Sequence, residues 1–118
     1  MSWKALPHQK IAVLSERLDA FLKGQNLTSV DLLKMDIEGA EIEVLDSCSD
    51  DLLQSVSQMT VEFHDFNGMA SLEDVSRVVR RLKGLGFLCF VMSRATHDDV
   101  CFVNRNRCPI STTEALWV

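Results

Sequence analysis

The chain has 118 residues, of which 47% are apolar and 25% charged, with a net charge of −5. This is the composition of one ordinary globular domain, large enough to bury a core. No apolar run approaches the roughly 20 residues that span a bilayer, Met1-Ser2-Trp3-Lys4 does not open a signal peptide, and basic residues gather only at Arg77, Arg80, Arg81, Lys83 and at Arg105, Arg107. A soluble, cytoplasmic chain without a nucleic-acid partner or a membrane segment is therefore expected.

Gln9 to Leu14 alternates weakly and reads as a short edge strand, after which Ser15 is the N-cap of a helix through Leu18, Phe21 and Leu22 that stops near Gly24. Asn26 to Ser29 is a turn. Val30 to Ile37 is almost continuously apolar, which suits a parallel strand covered on both faces. Glu38-Gly39 then turns the chain into a helix from about Gly39 to Cys48, and Ser49-Asp50-Asp51 restarts a short helical turn before the strand Met59 to His64. Strand, helix and strand in that order predict two neighbouring parallel strands with a right-handed crossover.

Asp65 to Ala70, with its Asn67-Gly68, is a loop. Ser71-Leu72-Glu73-Asp74 opens the clearest helix with a capping-box-like pair, and Leu72, Val75, Val78, Val79 and Leu82 form its apolar stripe. Gly84-Leu85-Gly86 ends it. Phe87 to Ser93 and Asp99 to Asn104 form a closing antiparallel hairpin, and 108–118 is an irregular tail in which Leu116, Trp117 and Val118 can dock on the core. The whole chain, 1–118, reads as a single α/β domain.

The four cysteines, Cys48, Cys89, Cys101 and Cys108, have no Cys-x-x-Cys spacing, so neither a zinc ribbon nor a redox pair is indicated. Cys89 and Cys101 can face each other across the hairpin, which leaves a disulfide open, although buried cysteines more often act as small apolar residues.

In an open parallel sheet, ligands sit beyond the carboxyl ends of the strands, which is where Asp36, Glu38, His64 and Asp65 fall. Such a rim can orient a hydroxyl acceptor, remove its proton, or hold a divalent metal; the spacing is diagnostic of none of these, and the metal is the least supported. Glu38 also suits the first turn of a helix, and His64 suits a hydrogen-bonded structural role. Inside the strands, Lys34 and Glu62 each carry a charge, and burial would make them pair. Gly39 serves the tight turn or allows close approach of a ligand. The glycines, Gly24, Gly39, Gly68, Gly84 and Gly86, form no glycine-rich loop between a strand and a helix.

The segment Val30 to Glu41 contains Lys34, Asp36, Glu38, Gly39 and Glu41 in a Lys-x-Asp-x-Glu-Gly-x-Glu pattern. With Leu18-Asp19-Ala20-Phe21-Leu22 before it, Glu43-Val44-Leu45 following and Val61-Glu62-Phe63-His64 further on, it closely resembles the FkbM-type S-adenosylmethionine-dependent methyltransferases. The resemblance covers residues 10 to 66 best. It implies a Rossmann-like class I methyltransferase sheet ending in an antiparallel hairpin, S-adenosyl-L-methionine as cofactor, and methyl transfer to a hydroxyl of a small molecule or glycan. Asp36 and Glu38 would face the transfer cleft, with His64 completing the candidate catalytic set; Lys34, Gly39, Glu41 and Glu62 would support the cleft.

Such enzymes bind the cofactor mainly through a glycine-rich loop after the first strand and an acid ending the second, and this chain carries neither. It therefore resembles the second half of the fold, truncated and expected to be inactive alone. The alternative is a non-catalytic interaction module that forms a homodimer, or joins a complementary chain, through an exposed sheet edge.

Overall fold

The computed structural model describes residues 10–64, 70–93 and 99–109. Its elements are α1 (Leu18–Gly24), β1 (Val30–Met35), α2 (Glu41–Ser47), α3 (Asp50–Gln54), β2 (Val56–Val61), α4 (Leu72–Gly84), β3 (Phe87–Val91) and β4 (Val100–Asn104). The strands form a mixed four-stranded sheet in the order β1-β2-β4-β3. β1 and β2 are parallel, with Lys34 opposite Thr60, while β4 runs antiparallel to both β2 and β3. The parallel pair and the closing hairpin thus form as the sequence predicts, with β4 inserted between β2 and β3.

One face of the sheet carries the core. Opposed residues share a face, so Met59 lies with Phe102 and Val61 with Val100, all fully buried. Leu45 of α2, Leu53 of α3 and Val75, Val78 and Leu82 of α4 pack into the same cluster. Burying a side chain of this kind contributes about 1.5–3 kcal/mol, so this cluster is the main source of stability. The opposite face is thinner, with Leu32, Lys34 and Gln58 exposed and Thr60, Cys101 and Val103 half-buried.

β1 does not lie covered on both faces, as its apolar run predicts. It is an edge strand among the described residues, Leu32 is 58% exposed, and only Met35 is buried. Residues 10–14 form no strand, and Ile11, Val13 and Leu14 are exposed. α1 is capped at Arg17 rather than Ser15, with no side-chain cap. β2 begins at Val56, three positions before the expected Met59, and ends at Val61. Leu72 of the expected α4 stripe is 61% exposed, because it lies at the first position of the helix. Cys89 is opposite Phe102 and Cys101 opposite Phe90, so the two thiols project from opposite faces, and both are free. The loop 65–69, the connection 94–98 and the tail 110–118 lie outside the described residues, as does Gln9.

Two caps agree with the sequence: Ser49 Oγ accepts from the Leu52 amide at 3.2 Å and Ser71 Oγ from the Asp74 amide at 3.1 Å. The helices are tied together by arginines. Arg77 forms a bidentate pair with Asp46 at 2.7 and 2.8 Å, and Arg81 donates to the Leu45 and Cys48 carbonyls at 2.9 and 2.8 Å, satisfying orphan acceptors at the end of α2. No helix among the described residues is long and apolar enough to cross a membrane.

Candidate functional site

The chain leaves β1 at Met35 and turns through Asp36 to Gly39 before α2 begins at Glu41. Glu38 has φ +55° and Gly39 φ +103°. Left-handed backbone at a non-glycine residue is uncommon and persists only where surrounding contacts hold it. Here the holding group is Glu41: its Oε1 accepts the amide of Ile37 at 3.0 Å and that of Gly39 at 3.2 Å. The side chain thus folds back over the turn that precedes its own helix. Its other oxygen, Oε2, is buried and has no hydrogen-bond partner among the described residues.

His64 comes to this turn from the extended segment after β2. Its Nδ1 lies 3.0 Å from Glu41 Oε1, while its Nε2 lies 3.3 Å from Glu38 Oε2 and 4.0 Å from Asp36 Oδ1. The ring is buried, at 4% exposure, whereas the Asp36 and Glu38 side chains are 38% and 81% exposed. An imidazole is therefore held between a wholly buried carboxylate and two rim carboxylates. Burial opposes charge on the ring, but the Glu41 carboxylate, its hydrogen bond, Glu38 and Glu62 outweigh it and raise the pKa above 6.5. Burial likewise pushes Glu41 up; its own amide, the Ile37 and Gly39 amides and the imidazole pull harder, and its pKa falls below 4.5.

The expected cluster Asp36, Glu38 and His64 thus assembles, with Gly39 and Glu41 shaping it. Glu62 contributes too: donor atoms of Asp36, Glu62 and His64 lie within 4.8 Å of one another. That is a spacing acidic groups commonly reach without an ion. Lys34 does not form the buried pair with Glu62 that the strand reading expects. Its side chain is 71% exposed at the sheet edge and lies 4.0 Å from Asp36. Asp65 lies outside the described residues.

Two open surface clefts lie near the turn, neither of them lined by Asp36, Glu38 or His64. One of about 370 Å³ is lined by Lys34, Met35, Thr60, Glu62 and Asp99, and one of about 450 Å³ by Gly39, Ile42, Glu43, Asp46, Ala70, Asp74 and Arg77. Chemically, an imidazole nitrogen and carboxylates at a sheet rim can orient a hydroxyl group and take its proton.

The central role of Glu41 was not separable in the sequence from the helix-start pattern around it. The only available signal was the last acid of the Lys-x-Asp-x-Glu-Gly-x-Glu pattern, on the apolar side of α2, where Leu45 is buried one turn later.

The model of the methyltransferase FkbM domain matches residues 3–89. Neither the curated proteins nor the solved structures compared with the chain gave a match.

Proposed function

The chain belongs to the FkbM methyltransferase family, and we propose that it forms the acceptor side of an S-adenosylmethionine-dependent methyl-transfer site that methylates a hydroxyl oxygen on a small molecule or glycan. The observation that carries this reading is the His64 ring, whose Nε2 faces Glu38 and Asp36 at the carboxyl ends of the two parallel strands. A hydroxyl acceptor is a weak nucleophile, and placing a proton acceptor beside it lowers the cost of charge development. In this reading His64 takes the proton, and Glu38 and Asp36 orient the hydroxyl.

The described residues do not fit the whole cofactor. A nucleotide-type cradle needs free backbone amides in a glycine-rich loop between strand and helix. At the turn from β1 into α2, the Ile37 and Gly39 amides are already taken by Glu41. The donor side therefore comes from elsewhere in the same or another chain, and these 118 residues alone transfer no methyl group. The open edge of β1, with Leu32 58% exposed, is where we place the pairing of a complementary or second chain.

Isothermal titration of the chain with S-adenosylmethionine tests the division. The expected result is no measurable binding, and micromolar binding would overturn it. The acceptor assignment is tested where the donor side is present: His64→Ala should abolish transfer to hydroxyl acceptors while cofactor binding persists. Unchanged transfer would remove His64 from the reaction.

A further inference from the structure

We infer that the chain forms an arm-exchanged dimer, in which residues 10–14 of each copy add as a parallel strand to the open β1 edge of the other. This commits that edge to one occupant, and it does not depend on the acceptor-side reading. Two unpartnered surfaces motivate it. β1 is an edge strand among the described residues, with Leu32 58% exposed, and beside it lies an apolar cleft of about 460 Å³ whose lining includes Phe21, Leu27, Leu32 and Leu33. A sheet edge flanked by apolar side chains is a template for a further strand. The arm has the composition of such a strand: Lys10-Ile11-Ala12-Val13-Leu14 carries β-branched residues at alternate positions and neither proline nor glycine. Yet it joins no ladder among the described residues, and Ile11, Val13 and Leu14 are 76%, 82% and 105% exposed.

Within one chain, arm and edge stay apart. Every residue from 10 to 17 is exposed, and the arm leaves the body at Arg17, which is fastened to the Ser47 carbonyl and to Asp19, each at 2.9 Å. A second copy brings the same arm and the same edge. A twofold exchange therefore covers both arms and both edges at once, whereas a one-way addition would leave one of each bare.

The residue types choose the register. With Lys10 opposite Asp31, parallel pairing sets Ile11 against Leu32 beside the cleft, Ala12 against half-buried Leu33, and Leu14 against Met35 at the margin of the core. Lys10 and Asp31 are both exposed, so each is accessible to the other. A slip of one residue turns Ile11 and Val13 to the opposite face. The antiparallel register that keeps Ile11 on Leu32 sets Lys10 against Leu33 and Asp31 against Ala12, and so forfeits the charge pair.

Light scattering of the 118-residue chain across a concentration series tests the dimer. The expected mass is that of two copies, falling towards one on dilution; the mass of a single chain throughout overturns the inference. Ile11→Lys changes a side chain exposed in the single subunit, so it should give a monomer with an unaltered circular dichroism spectrum. A dimer of undiminished strength in that variant overturns the role of the arm. Lys10→Glu and Asp31→Lys should each weaken dimerisation severalfold, and the two together should restore it; no restoration overturns the register. In a chain carrying both Val13→Cys and Lys34→Cys, which this register opposes, mild oxidation should link two chains through these positions. A link closed within one chain would overturn the second copy as occupant. Failure of any of these leaves the acceptor-side assignment, tested by His64→Ala, where it stands.

Discussion

Nδ1 of His64 lies 3.0 Å from Oε1 of Glu41, 23 residues earlier in the chain, and the two side chains are 5% and 0% exposed. The contact joins the end of the β2 segment to the first turn of α2, so its loss is felt in the fold as well as at the rim. Glu41→Leu keeps comparable volume but removes the acceptor of the Ile37 and Gly39 amides. An unpaired buried donor costs about 1–3 kcal/mol each. Urea unfolding should therefore show a lower midpoint at unchanged slope for Glu41→Leu, and a smaller loss for Glu41→Gln, whose carbonyl oxygen still accepts.

The same pair sets a pH window. His64 is raised above 6.5, so its contribution is complete below that value and is lost as pH rises through the higher folded pKa. Glu41 is lowered below 4.5, so its contribution is complete above that value and is lost as pH falls through the lower folded pKa. Stability from this pair is greatest between 4.5 and 6.5 and declines on both sides. Denaturation midpoints measured across pH should show that plateau, and His64→Gln should remove the alkaline decline attributable to the ring. An alkaline decline of the same size in the variant would assign it to other groups.

Local signals in the sequence located most of the elements. The Ser71 and Ser49 caps are where the serines and first-turn acids put them, and α4 and the hairpin follow from periodicity. β2 was placed late because Ser57 and Gln58 look polar, yet Val56 before them and Met59 after them are buried. The exposure of β1 was not legible, since an apolar run reads the same whether neighbours cover it or not. At the site, Asp36, Glu38 and His64 were legible as a rim. The left-handed backbone at Glu38 and the bonds from the Ile37 and Gly39 amides to Glu41 are local but share the pattern of an ordinary helix start, while the contact of Glu41 with His64, 23 residues away, lies in no short sequence window.

Asn104 anchors the other end of the sheet. It is fully buried, donating Nδ2 to the Gln54 and Val56 carbonyls, each at 3.0 Å, while its Oδ1 accepts the Asn106 amide at 3.0 Å. Asn104→Asp keeps the acceptor and turns the donor into an oxygen facing two carbonyls. The variant should be destabilised by several kcal/mol at neutral pH, in line with the penalty for an unpaired buried charge, and should recover as the carboxyl protonates on acidification. Asn104→Ala should be destabilised without that pH-dependent recovery. Comparing the two variants' unfolding midpoints from neutral to acidic pH checks this.

Gly84 and Gly86 flank Leu85 at the end of α4 but should respond oppositely to alanine. A Cβ on Gly84 meets nothing within 4 Å, and the residue is helical, so Gly84→Ala should stabilise by about 0.4–1 kcal/mol through the lower entropy of the unfolded chain. Gly86 has φ +100°, and a Cβ there would lie 2.8 Å from Asn106 Nδ2. The close contact is with the end of a side chain that can swing aside, whereas the backbone conformation cannot be relieved so easily, because the Gly86 carbonyl accepts the Arg105 amide at 3.1 Å. Gly86→Ala should thus destabilise by about 1–3 kcal/mol, mostly from φ. The pair Gly86→Ala with Asn106→Ala separates the two causes. Thermal unfolding of the double variant should recover only the small part due to the contact, and full recovery would show that sterics, not backbone conformation, require glycine at this turn.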